Sequence, residues 1–164
     1  MTRRDIELMV NGTRRTGRAE PRMTLLDFLR DELRLTGTHT GCEHGVCGAC
    51  SILLDGVAVR ACLLLAVQVG GHQITTVEGL CAERGRPGIL QDAFRDAHGM
   101  QCGYCTPGMM IAAHGLLQRT LNPTDEEIKE AIGGNLCRCT GYAQIVEAVA
   151  LAAARMRQQR EATT

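Results

Sequence analysis

From Ile6 to Val10 the chain alternates between inward and outward positions. Asn11-Gly12 follows with a strong hairpin signal, and Arg14–Ala19 is expected to return as a second strand. Thr24 can cap a helix over Leu25–Leu33, with Leu25, Leu26, Phe28, Leu29 and Leu33 on its inner side. Ser51–Leu54 and Val57–Arg60 flank Asp55-Gly56 as another hairpin, and Gln73–Val77 reads as a further strand. Paired strands with one helix across them predict a small sheet domain ending near residue 78. Beyond Gly79 the period becomes helical. Leu90–Ala97 is amphipathic, and Thr106 as N-cap with Pro107 at N1 opens an apolar helix running through Leu117. Thr124 to Glu127 forms a capping box ahead of Ile128, Ala131 and Ile132, and Gly133-Gly134-Asn135 breaks that helix. A last helix carries Ile145, Val149, Ala152 and Met156 inward, with Arg155, Arg157 and Arg160 suiting its C-terminus and residues 161–164 expected to fray. The expected class is α+β: a sheet domain over 1–78, then a four-helix bundle over 79–164.

Composition removes several function classes. Eighteen basic and eighteen acidic side chains cancel, and they cancel within each half as well. No basic stripe remains for a phosphate backbone, and aromatics are only 2%, so nucleic acid is not an expected partner. The start Met1-Thr2-Arg3-Arg4-Asp5 is not followed by an apolar run of signal-peptide length. The uncharged stretch Ala61–Val77 contains Gly70, Gly71, His72 and Gln73 and predicts no membrane span. A soluble, cytoplasmic chain is expected.

Nine cysteines then need an explanation, because structural disulfides are improbable in a reducing compartment. They separate into Cys42-x4-Cys47-x2-Cys50-x11-Cys62 and Cys102-x2-Cys105-x31-Cys137-x1-Cys139, leaving Cys81 over. Zinc ribbons prefer short pairs on separate hairpins, and four-iron ferredoxins use C-x2-C-x2-C. The first quartet instead has plant-type two-iron spacing. Its loop must aim backbone N–H groups at sulfur and avoid bulky side chains, a freedom that Gly41, Gly45 and Gly48 supply. The second quartet fits zinc or a second two-iron cluster. Its place beside a buried helix N-terminus, where the dipole favours negative charge, tips the balance to iron.

The remaining candidates have bland readings. His44 is expected to face solvent, His114 to be a hydrogen-bonded core residue and Cys81 a small buried hydrophobe. Tyr104 and Tyr142 flank the cysteine loops and are expected to pack there. No nucleophile or acid–base constellation for substrate chemistry stands out.

GCEHGVCGAC at 41–50, MQCGYCTPGM at 100–109 and GNLCRCTGY at 134–142 resemble the signatures of the small iron–sulfur subunit of molybdenum hydroxylases. This is the xanthine oxidase family in its three-subunit bacterial form, with a small subunit like that of carbon monoxide dehydrogenase. The resemblance covers essentially the whole chain. It implies a plant-ferredoxin-like β-grasp domain and a helical domain, each with one 2Fe–2S cluster. It implies Cys42, Cys47, Cys50 and Cys62 as ligands of the flavin-proximal cluster. Cys102, Cys105, Cys137 and Cys139 would hold the molybdenum-proximal one. Gln101 and Cys139 would contact the pterin. The implied partners are a large subunit with molybdopterin, often as the cytosine dinucleotide, and a medium subunit with FAD, in a dimer of heterotrimers. Electrons would pass from molybdenum through both clusters to the flavin. Glu43-His44-Gly45-Val46 departs from glycine-richer relatives, which affects the loop and not ligation. A freestanding two-cluster ferredoxin is the competing reading; such carriers are usually acidic for steering, whereas this chain is neutral.

Overall fold

The structure, a computed structural model, describes residues 2–82 and 85–163. Strands β1 (Arg4–Val10) and β2 (Thr13–Ala19) form the expected hairpin, turned by Asn11 and Gly12, both at positive φ. Strands β3 (Ser51–Leu54) and β4 (Val57–Arg60) form the second, turned by Asp55-Gly56. What joins them is β5 (Gln73–Thr75), which pairs parallel to β1 and antiparallel to β3, giving the order β2-β1-β5-β3-β4. Strand β5 is shorter than Gln73–Val77, because Val77 already begins a 3₁₀ turn through Leu80.

Helix α1 (Leu25–Asp27) starts where Thr24 accepts a bond from the Asp27 N–H, then widens into a π turn over Phe28–Glu32. The expected helix is present over residues 25–32, with its second part wound as a π turn. Leu25, Leu26, Phe28 and Leu29 are buried against Ile6, Leu8, Val10, Ile52 and Ile74 of the sheet. Backbone bonds between Leu25 N and Leu64 O (2.7 Å) and between Ala66 N and Met23 O (3.0 Å) hold the chain after Cys62 against α1.

Four helices follow: α2 (Ile89–Asp96), α3 (Thr106–Arg119), α4 (Asp125–Ile132) and α5 (Ala143–Thr163). They enclose a second core containing Phe94, Met109, Ile128, Ile145 and Val149. The capping box at α4 is present, with Thr124 bonded to the Glu127 N–H and Glu127 bonded back to the Thr124 N–H. Helix α5 runs on through Thr163, whose hydroxyl reaches the Gln159 carbonyl, while the last residue of the expected tail lies outside the described residues. Cys105, not Thr106, is the N-cap of α3; the Thr106 hydroxyl is buried within the first turn without a protein partner. None of the helices among the described residues is long and apolar enough to cross a membrane.

The sheet and the helices meet face to face. Alternation along β3 sends Ile52 to the α1 side and Leu53 to the other, where Leu53 packs against α3 near Gly115. At the start of α3 the backbones come closer still. A Cβ on Gly108 would collide with the Gly48 carbonyl and sit 2.8 Å from the Asn135 side-chain nitrogen. The obstacle is backbone, so it cannot rotate away. Gly108→Ala is therefore expected to destabilise the iron-loaded chain by about 1–3 kcal/mol, the usual cost of overpacking. Thermal unfolding should show this as a melting temperature several degrees lower; an unchanged melting temperature would refute the close approach.

Candidate metal centres

The first quartet lies on an irregular loop between α1 and β3, with its fourth member two residues past β4 in a 3₁₀ turn. The β3–β4 hairpin carries Cys62 back until its thiol lies within hydrogen-bonding reach of Cys50 and receives the Gly45 N–H. Cys42 and Cys47 form the other close pair, and the Cys47 N–H points at Cys42 Sγ at 3.4 Å. Further N–H groups of His44 and Val46 face Cys42, and that of Ala49 faces Cys47. Gly41 is needed for room rather than for φ, since a Cβ there would fall 2.7 Å from Cys47 Sγ; Gly48 needs both, at φ 75° against the 134–135 backbone.

The second quartet is assembled from the loop entering α3 and the loop joining α4 to α5. Its thiols also meet as pairs, Cys105 with Cys137 and Cys102 with Cys139. The Thr140 N–H (3.5 Å) and hydroxyl (3.2 Å) both approach Cys137 Sγ. Tyr142, at φ 70°, accepts the Cys137 N–H on its phenol oxygen at 2.9 Å and clasps the loop from behind. A cavity of about 160 Å³ is lined by all four of these cysteines together with Gly41, Cys47 and Leu136.

Thiol acidities follow these surroundings. Hydrogen bonds from the Cys47 and His44 N–H groups lower Cys42 to about 6. At Cys137 burial opposes ionisation, but the Thr140 hydroxyl and N–H together with the Cys139 N–H outweigh it, leaving a value of about 7. Burial and the neighbouring Cys50 thiol push Cys62 up to about 11; burial and Cys137 push Cys105 to about 12. Each close pair containing Cys62 or Cys105 thus resists carrying two bare negative charges. Cationic iron relieves that repulsion.

These residues fit a two-iron cluster. Each iron takes two thiolates, and the thiols converge pairwise; zinc would want all four around one ion. Among the described residues no three ligating side chains surround a single ion position. N–H donors aimed at sulfur stabilise the negative charge that such a cluster carries.

Comparison with known proteins agrees segment by segment. Residues 8–72 match the 2Fe–2S iron–sulfur cluster binding domain, and residues 76–150 match a second [2Fe–2S] binding domain. The gamma subunit of caffeine dehydrogenase from Pseudomonas sp. (strain CBB1) is 54% identical over 147 residues, covering 88% of this chain and 87% of its own. The small subunit of nicotine 6-hydroxylase from Paenarthrobacter nicotinovorans is 54% identical over 145 residues, with the same coverage. In quinoline 2-oxidoreductase from Pseudomonas putida 86, one chain superposes with a TM-score of 0.91 at 46% identity, covering 95% of this chain and 97% of that one. The chain belongs to the small iron–sulfur subunits of the molybdenum hydroxylases. It is an electron-transfer subunit with two 2Fe–2S clusters, and the zinc alternative falls away.

Other expectations for this small subunit fare unevenly. Gln101, Cys102 and Cys139 are each exposed, Gln101 next in sequence to Cys102 and Cys102 paired with Cys139. His44 is exposed, and its Nδ1 bonds the Cys42 carbonyl. His114 is half-buried, hydrogen-bonded to Gln118 at 3.1 Å, and burial lowers its pKa. Cys81 is exposed beside Gln91, not buried: the chain there has left the sheet core and not yet entered the helical one. Sequence reasoning missed Arg60, Asn135 and Thr140, none of which is a ligand type for iron. Their sole signal is position, one or two residues from a cysteine of either quartet.

Thr140→Val keeps the shape near Cys137 while removing the hydroxyl. A net hydrogen bond of about 1 kcal/mol equals roughly 40 mV for one electron. The second cluster is accordingly expected to become harder to reduce by tens of millivolts in an EPR-monitored potentiometric titration, while the first does not move. Equal potentials in both proteins would remove Thr140 from cluster tuning.

Proposed function

We propose that Cys42, Cys47, Cys50 and Cys62 hold the flavin-proximal cluster and that Cys102, Cys105, Cys137 and Cys139 hold the molybdenum-proximal one. Single electrons then pass from a molybdopterin site through both clusters to FAD. One contact carries the reading: the Leu136 N–H bonds the Cys47 carbonyl at 2.8 Å. Leu136 adjoins Cys137, so one hydrogen bond and a few covalent bonds connect a ligand of each centre. Cys42–Cys47 and Cys50–Cys62 would each share one iron, as would Cys102–Cys139 and Cys105–Cys137. The clusters supply one-electron redox chemistry when bound. This chain's part is to hold thiolates, present N–H donors and exclude water.

The division into a β-grasp unit over 1–78 and a four-helix unit over 79–164 is supported by two separate apolar cores, one on each side of that boundary. The pterin contact proposed for Gln101 and Cys139 is supported by their exposure. Partner docking has its own support. Val46, Leu63, Met100, Tyr104 and Leu136 are exposed, and each lies within two residues of a ligand cysteine. Apolar collars of this kind suit permanent contact with the large molybdopterin subunit and the medium FAD subunit, in a proposed dimer of heterotrimers located in the cytoplasm. They suit a freestanding ferredoxin poorly.

Cys50→Ala and Cys105→Ala separate the two centres. Anaerobically prepared wild-type chain is expected to show two distinct reduced 2Fe–2S EPR signals, and each variant to lose a different one together with about half the iron. A colourless zinc-loaded preparation, or loss of the same signal in both variants, would overturn the assignment. Leu63→Asp is expected to weaken co-purification with one partner while leaving both signals in place.

A further inference from the structure

Three segments meet where the two loops touch: the first-quartet loop at Gly48, the first turn of α3 at Gly108, and Gly134-Asn135 ahead of Cys137. Asn135 is 2% exposed. Its Nδ2 donates to the Gly48 carbonyl at 2.9 Å and to Ser51 Oγ at 3.2 Å. Its Oδ1 accepts from Arg60 Nη2 at 3.4 Å, while Arg60 also donates to Ser51 Oγ at 2.6 Å and to the Gly134 carbonyl. The Asn135 carbonyl accepts from the Tyr142 phenol at 3.3 Å, the group that holds the Cys137 N–H. One buried residue is therefore bonded through its side-chain amide to the loop of Cys47 and Cys50 and to the strand that delivers Cys62, and through its main-chain carbonyl to the clasp behind Cys137.

From this we infer that Asn135 is a positioning residue for electron transfer between the clusters: it sets their separation and relative orientation, without ligating either. The inference rests on the assignment of the quartets to two clusters. A single main-chain bond, Leu136 to Cys47, could pivot; bonds on both sides of Gly48 and Ser51 remove that freedom. The amide is needed because the site requires a donor toward Gly48 and an acceptor toward Arg60 at once. Buried polar groups left without partners are costly, so the network is held as a unit.

The test uses full-length chain loaded with iron and sulfide, comparing wild type with Asn135→Ala and with the isosteric Asn135→Asp. The carboxylate keeps the acceptor for Arg60 and loses the donor to Gly48. Both variants are expected to retain four irons and two EPR signals, in line with their intact thiols. The magnetic coupling between the clusters in the fully reduced state is expected to weaken, and an electron delivered by pulse reduction to equilibrate between them severalfold more slowly. Individual reduction potentials supply the control for cluster environment. Wild-type coupling and wild-type transfer rate in Asn135→Asp, with both clusters present, overturn the inference. Loss of a cluster in both variants overturns it too, because Asn135 would then serve cluster retention rather than spacing. Wild-type chain that binds no iron would instead overturn the assignment beneath it.

Discussion

A cluster of iron, sulfide and four thiolates carries net negative charge and must gain another on reduction, inside a protein whose interior solvates charge poorly. Oriented N–H groups close to sulfur are what make this tolerable, and the rest of the architecture answers to them. Helices and strands spend their N–H groups on their own ladders, and the cysteines of both quartets lie on loops, Cys62 in a short 3₁₀ turn. The Cys47, Gly45 and Thr140 N–H groups point at thiols because those loops turn back sharply. Positive φ at Glu43, Gly48 and Tyr142 shows what that turning requires.

Regular structure then delivers ligands that are remote in sequence. The β3–β4 hairpin returns Cys62 to its loop, and α1 fixes the segment beyond it through the Leu25–Leu64 bond. Packing of α3 against α4 brings the loop of Cys102 and Cys105 to that of Cys137 and Cys139. The face of β3 bearing Leu53 rests on α3, so the two cores share a wall and the two thiol groups lie on the same side of it. Electron transfer needs such rigidity, because the electron must cross protein that does not rearrange around it.

The elements most legible in the sequence were those specified by local chemistry. Asn11-Gly12 and Asp55-Gly56 dictate tight turns through their access to positive φ, and Thr124 with Glu127 satisfies helix-end donors within four residues. Cysteine order was equally legible, since ligand spacing reflects the size of the bound group. Less legible was the π turn after α1, whose side chains have the same inward pattern as an α-helix. The cap of α3 was misplaced by one residue because Cys105 occupies the cap position while Thr106 lies within the first turn. Cys81 was misread because a cysteine's spacing carries no information about burial in a connector.

By itself the sequence determined the two cysteine groups, the hairpins, the helical second half and the family, all encoded within short stretches of chain. Only the tertiary structure decided that β5 joins the hairpins, which thiols form close pairs, and that Asn135 and Arg60 lie between the two loops. The reason is physical. Local propensity and ligand spacing act over a few residues, whereas Gly48 and Asn135 are 87 residues apart and meet only after both cores have packed.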